Sequence, residues 1–250
     1  MRYFLELSYD GTNYHGWQIQ PNAISVQEKI NESLSLLLQS EIMIMGAGRT
    51  DAGVHASQMY AHFDTDKKFQ ADKLLHRLNA ILPEDIAINK LFLVADDVHA
   101  RFDATSRSYE YKIYLGRNPF LTHSTWQLYT KKLDVNLMNS TAKILLNYQD
   151  FKCFSKSKTD VNTYNCTITN AIWKQEGNLL VFHITADRFL RNMVRAIVGT
   201  LVNIGLHKSS IDDFKNIIES RDRSQAGFSV PAKGLFLTHI KYPISILENE

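Results

Sequence analysis

The sequence has little of what marks secreted, membrane-embedded and metal-dependent proteins. Its 250 residues include only two cysteines, Cys153 and Cys166. Two thiols without metal-ligand spacing support neither a disulfide framework nor a zinc centre. No apolar run approaches the ~20 residues of a membrane span, so none is expected. The opening MRYFLELSYDG alternates at once and contains no short apolar run ending in a small-residue cleavage site. A leader peptide is therefore not expected, and a reducing cytoplasm is the default location. Strong charge of one sign is also missing: 28 Lys+Arg face 26 Asp+Glu, leaving a net charge of +2. That balance does not argue for nucleic-acid binding, which local clusters would have to supply.

What is present is an ordinary globular composition, 44% hydrophobic and 22% charged, with enough apolar material for a core. Tyr3–Tyr9 alternates as a strand, and Asp10-Gly11 turns the chain. Ser25 and Glu28 stand in capping-box relation before a helical stripe of Val26, Ile30, Leu34, Leu37 and Leu38. Ile42–Met45 reads as a second strand and SQMYAHFDT as a third. A helix through Leu74–Leu82 stops at Pro83, and Ile86–Val94 reads as a fourth strand. The order β-α-β-β-α-β is that of a ferredoxin-like unit.

The order recurs. A strand is predicted at Arg107–Leu115, a helix at Asp134–Asn147, and strands at Thr167–Lys174 and Leu179–Thr185. A helix is predicted over Arg188–Asn203, another after Ser210 with Asp213 at capping-box spacing, and a last strand at Gly234–Tyr242. Loops are expected at 116–130 and 151–165. The predicted class is α+β: two ferredoxin-like (RRM-like) halves, 1–104 and 105–250, sharing a continuous, mainly antiparallel central sheet with a cleft between them.

Three stretches could carry chemistry. In GAGRTDAGVHA (Gly46–Ala56), three glycines and two alanines surround Arg49, Thr50 and Asp51. The glycines lack the Gly-Lys-Ser/Thr of a P-loop and the spacing of a dinucleotide fingerprint. One remaining reading is a structural turn; the other is a carboxylate exposed among residues too small to block a bulky substrate. In DRFLRNMVRAIVG, Arg188, Arg191 and Arg195 recur at i, i+3 and i+7, which predicts that they share a helix face. Arginine without interspersed glutamate suits a phosphate backbone, though a solvated face is the plainer reading. Gly199 near that face would leave room for a partner. In HARFDATSRSYEYKIY, Arg101, Arg107 and Lys112 interleave with Phe102, Tyr109, Tyr111 and Tyr114. That pattern suits either RNA stacking or a half-buried strand. His55 lies at i+4 from Asp51, an acid–base spacing without a nucleophile motif.

Taken together, GAGRTDAGVHA, HARFDATSRSYEY, NMVRAIVG, GLFLTHIKYP and the N-terminal YDGTNYHGWQIQP…SVQEKI resemble the tRNA pseudouridine synthase A family over nearly the whole chain. The resemblance implies isomerisation of uridine to pseudouridine in the anticodon stem–loop of tRNA, at positions 38–40. The N-glycosidic bond breaks, the uracil turns, and a C–C bond forms at C5. It also implies no metal and no cofactor, and a homodimer whose two subunits share a tRNA. Asp51 matches the catalytic aspartate. Tyr109 matches the stacking tyrosine, also proposed to take the C5 proton. Arg195 matches the arginine paired with the aspartate. Arg49 matches a loop arginine associated with RNA, and Leu235 an apolar residue beside the uracil. Arg188, Arg191 and Arg107 are the further RNA-contact candidates. Ile19 stands where many members carry a basic residue, and Ser108 where many have a second arginine.

A carboxylate suits this chemistry if ionised, which a nearby guanidinium favours and desolvation opposes. It can attack C1′ or C6 or take a sugar proton, and the sequence leaves these routes open. A phenol is a weak base at neutral pH, so the acceptor of the C5 proton is open too. Two rivals stand beside the isomerase: a non-catalytic RNA-binding protein, and a small-molecule hydrolase using Asp51 and His55.

Overall fold

The computed structural model of the protein describes residues 1–129, 133–157 and 161–247. Parts of the two expected loops, residue 130 and residues 158–160, lie outside the described residues. The chain forms two compact units: Met1–Ser106 joined by the C-terminal segment from Phe236, and Arg107–Leu235. The class is α+β and the strand pairing mainly antiparallel, as the sequence predicts. Among the described residues no helix is long and apolar enough to cross a membrane.

In the first unit the chain runs β1 (Arg2–Tyr9), α1 (Val26–Leu38), β2 (Met45–Gly46), β3 (His55–Asp64), α2 (Ala71–Ile81) and β4 (Ile86–Val94). Strand β1 pairs antiparallel with both β3 and β4, and β2 pairs with β3. This β4-β1-β3-β2 order is the split βαβ pattern. The helical stripe of α1 is buried at Val26, Ile30, Leu34 and Leu38, each worth roughly 1.5–3 kcal/mol of transfer free energy. Its predicted capping box is formed by Ser25 and Glu28.

The second strand is shorter than predicted. Over residues 42–44 the helix supplies the bonds that a ladder would give. Ile42 N–H donates to Ser35 Oγ at 2.9 Å, and Ile44 N–H to Asn31 Oδ1 at 3.0 Å. Only Met45 and Gly46 pair with β3.

In the second unit the order is β5 (Ser106–Leu115), β6 (Trp126–Leu128), α3 (Val135–Ala142), β7 (Ile168–Glu176), β8 (Leu179–Ala186), α4 (Met193–Gly205) and α5 (Ile211–Ser220). Strand β8 lies antiparallel between β5 and β7, and β6 runs parallel beside β5. The short β6 falls inside a segment expected to be loop, as does a 3-10 turn at Pro119–Leu121. The final strand, β9 (Leu235–Lys241), pairs parallel with β3 through His55↔Phe236 and Ala56↔Leu237. It therefore packs with the first unit from Phe236 onward.

Both units use the same device on a strand. Asn79 of α2 bonds the backbone of Ile88 in both directions, at 2.7 and 2.8 Å. Asn139 of α3 does the same for Trp173, at 2.7 and 3.0 Å. A carboxamide carries both a donor and an acceptor group, so it can satisfy backbone groups on β4 and β7, the end strands of the sheet order.

Candidate active site

The loop bearing Asp51 connects β2 to β3, and its shape is imposed by the segment that follows β1. Ala47 N–H donates to Tyr60 O at 2.8 Å, leaving the loop anchored on β3. Trp17 N–H donates to Thr50 O at 3.2 Å, Gly53 N–H to Tyr14 O at 3.2 Å, and Val54 N–H to Asp51 O at 3.1 Å. The buried Thr50 hydroxyl is 2.8 Å from the Tyr9 hydroxyl. Backbone contact is close on the facing segment as well. A Cβ on Gly11 would lie 2.0 Å from Val54 O, and one on Gly16 2.4 Å from Thr50 O. Tyr14 is itself tied down by a bond from its hydroxyl to Asp85. Burial, then that carboxylate, pushes the Tyr14 phenol well up from its usual range.

Each glycine of the loop has a separate job. Gly46 lies under Trp17, whose indole would be only 2.5 Å from an added Cβ. Gly53 has φ +74°, a conformation L side chains rarely adopt. Gly48 has no atom within 4 Å of an added Cβ and needs no positive φ. The glycine cluster is thus partly structural and partly open. Asp51, three residues beyond Gly48 along the loop, is half-buried, and Arg49 is exposed. A carboxylate on a backbone tied down at Ala47, Thr50, Gly53 and Val54 has little backbone freedom left to lose.

His55 is engaged as a post under the loop. Its Nδ1 lies 3.0 Å from Asp10 Oδ1 and 3.1 Å from Gly11 N, and its ring stacks on Phe236 at 4.5 Å. The turn at Gly11–Asn13 is capped by the same Asp10, which accepts from Thr12 N–H at 2.9 Å. These contacts give His55 a structural role. Tyr9 closes the alternating strand, but Tyr14, Gly16 and Trp17, which also hold the Asp51 loop, stand out in the sequence only as part of a resembling motif. No periodicity ties any of the four to the loop, because their partners lie more than thirty residues away.

The other predicted residues belong to the second unit. Tyr109 is half-buried on β5 and meets Phe189 edge-on, with ring centroids 5.1 Å apart. Its neighbour Ser108 spends its hydroxyl on Thr185 Oγ1 at 2.8 Å, a cross-strand bond to β8. Tyr111 is core: it is fully buried and donates to Pro231 O at 2.8 Å. Burial pushes its phenol far up. Leu235 is buried at the start of β9. Phe102, in the first unit, is 73% exposed with the Arg101 guanidinium 5.6 Å over its ring.

The arginine stripe is corrected. Arg188, Arg191 and Arg195 do not share a helix face, because α4 begins only at Met193. Asp187 Oδ1 accepts both Arg188 N–H and Thr167 N–H, each at 2.7 Å, which holds the chain in a local turn. Asn192 then takes φ 67°, ψ 1°, outside the right-handed helix. Arg188 is half-buried and Arg191 exposed in that irregular segment. Arg107 Nη1 donates to Asp187 O at 2.9 Å, joining it to the same turn.

Helix α4 is not amphipathic in the expected sense. Eleven of its residues are buried, and Arg195 is its one charged residue. Arg195 Nε donates to Val230 O at 2.7 Å, and Val230 N–H returns to Arg195 O at 3.3 Å. The room expected at Gly199 is filled by the chain itself, since an added Cβ would lie 1.9 Å from Phe228 O. Arg195 is thereby oriented by backbone on a buried helix, a setting that fixes a guanidinium more firmly than a solvated face would.

A family model described as tRNA pseudouridine synthase matches residues 7–103 and 142–243. A tRNA pseudouridine synthase A of Parabacteroides distasonis is 51% identical over 243 residues, 97% of this chain and 96% of the relative. One of Bacteroides fragilis is 51% identical over 249 residues, 99% of this chain and 98% of the relative. One of Bacillus subtilis is 37% identical over 246 residues, covering 97% and 99%.

Proposed function

The chain belongs to the tRNA pseudouridine synthase family, and from that premise we propose that Asp51 is the carboxylate through which it turns uridine into pseudouridine in tRNA. The reaction is an isomerisation: C1′ leaves N1 and bonds to C5, while the C5 proton is lost and N1 regains one. No oxidant or external group is consumed. The observation that carries the assignment is the loop itself. Asp51 stands half-buried on a backbone bonded to the Tyr14 and Trp17 segment, in a loop that also carries the exposed Arg49 and the open space at Gly48.

Roles for the remaining residues follow from the resemblance and from their settings. Tyr109 offers an aromatic face, half-exposed and held edge-on by Phe189, on which a turned-out base can stack. Arg195 supplies a guanidinium already aligned by Val230, suited to keeping a carboxylate anionic. Leu235 supplies an apolar wall for the uracil. Arg49, Arg107, Arg188 and Arg191 are assigned to the RNA backbone. The target uridines are assigned to positions 38–40 of the anticodon stem–loop, and the protein to the cytoplasm as a homodimer.

The test is chemical mapping of pseudouridine in an unmodified tRNA transcript. The protein is expected to place it at positions 38–40, and Asp51→Asn to place none while binding tRNA within about tenfold of the parent. Turnover by Asp51→Asn would remove Asp51 from the reaction. Product outside the anticodon stem–loop would overturn the assigned positions.

A further inference from the structure

A basic cavity of about 400 Å³ opens elsewhere in the second unit, lined chiefly by Lys152, Lys156, Tyr164, Arg221, Asp222 and Arg223. Neither Tyr109 nor Arg195 nor Leu235 lines it. Among the described residues the lining thus carries four cationic side chains and one carboxylate. That carboxylate is turned to its own loop, where Asp222 accepts Ser224 N–H at 2.9 Å and the Ser224 hydroxyl at 2.7 Å. Arg221 is paired with Asp150. Among the described residues Arg223 is held by uncharged acceptors, Gly227 O at 3.1 Å, Ser229 Oγ at 2.9 Å and Ala226 O at 3.4 Å. Its position is thus fixed, and no carboxylate among the described residues pairs with it. Lys152 Nζ sits 5.5 Å over the Tyr164 ring, an arrangement that orients an ammonium without cancelling it.

We propose that this pocket binds a phosphodiester of the RNA substrate, at a point other than the target uridine. A fixed guanidinium fits phosphate oxygens, lysines add charge, and Tyr164 offers a ring beside the anion for a neighbouring base or ribose. The pocket also adjoins an arginine already assigned to RNA, because Lys156 N–H donates to Arg191 O at 3.0 Å. The inference rests on the RNA-modifying reading above. The same oxyanion chemistry would accept free phosphate, so the experiment separates the two sources.

Lys152→Gln/Lys156→Gln is compared with Lys152→Arg/Lys156→Arg in binding an unmodified tRNA transcript at several salt concentrations. For every phosphate no longer neutralised, the slope of log K against log[salt] falls by about 0.9 and binding weakens roughly tenfold at 0.1 M salt. The glutamine pair is expected to lose a slope of about 1 to 2 and at least tenfold in affinity. The arginine pair should keep both, and product formation at saturating tRNA should stay at the parental rate. An unchanged slope in a glutamine pair that melts with the parent overturns the proposal. So does a second result: inorganic phosphate alone binding the parent and not the glutamine pair, while the tRNA slope is unchanged. Failure of the parent to make pseudouridine would sink the reaction assigned above, whereas the slope tests the pocket by binding alone.

Discussion

Alanine placed at two glycines of the Asp51 loop, two residues apart, should have opposite effects. At Gly46 the new Cβ would lie 2.5 Å from indole Nε1 and Cε2 of Trp17. The indole has to retreat about 1 Å to reach ordinary contact at 3.4 Å. It is 2% exposed and packs on Tyr9 at 6.1 Å, whose hydroxyl holds Thr50. Overpacking of this kind costs about 1–3 kcal/mol, or roughly 2–12 °C in melting temperature at about 2–4 °C per kcal/mol. The displaced ring pushes on the residue before Asp51, so turnover should fall as well. At Gly48 the Cβ meets nothing within 4 Å and φ is not positive. Loss of glycine's freedom in the unfolded chain then stabilises by about 0.4–1 kcal/mol. If RNA fills that space, tRNA affinity falls while the melting temperature holds or rises. Calorimetry and filter binding of both variants check this. A Gly48→Ala protein that melts as low as Gly46→Ala would refute the reasoning from local space. A Gly46→Ala protein with parental melting and turnover would show that Trp17 does not brace the loop.

The remaining expectations concern the same unit. Thr50→Val keeps the shape but removes the hydroxyl pair with Tyr9, which should cost about 0.5–1.5 kcal/mol. Turnover in single-turnover assays should drop further than tRNA affinity; equal losses in both would argue that Thr50 serves binding and not the placement of Asp51. His62 is buried and accepts Ala100 N–H at 3.1 Å. Burial, then Arg2 and His99, lower its pKa from 6.5 to about 4. Above pH 6.5 it is neutral folded and unfolded and contributes no pH dependence. Between 6.5 and 4 the unfolded chain takes a proton that the folded one refuses, so stability falls with falling pH by at most about 1.4 kcal/mol per unit. Denaturant titrations from pH 7 to 4 should lose that component of the slope in His62→Gln, and an unchanged slope would mean His62 protonates normally in the fold.

Much of the fold was legible where the signal is local. Strand β4 matches its predicted bounds, Ile86–Val94. The Ser25–Glu28 and Ser210–Asp213 boxes mark the starts of α1 and α5. These signals need only neighbours a few residues apart. The failures share the opposite property. The start of α4 was set by Asp187, which binds Thr167 twenty residues earlier, and by the left-handed Asn192. The shortening of β2 was set by Asn31 and Ser35 on α1. Strand β6 is three residues long, too short for alternation to register. Its Trp126 meets Phe228 edge-on at 5.8 Å, across a hundred residues of sequence.

By itself the sequence determined the family resemblance, and through it the expected type of chemistry, because motifs recurring in a set order survive any ambiguity about element ends. Only the tertiary structure decided which residues hold that carboxylate still. Tyr9, Tyr14, Gly16 and Trp17 brace the loop through backbone bonds and close contacts with residues far along the chain. It also decided that Arg195 rises from a buried helix and not from a solvated stripe. Contacts of that kind depend on which segments the fold brings within a few ångströms, and linear spacing carries no record of them.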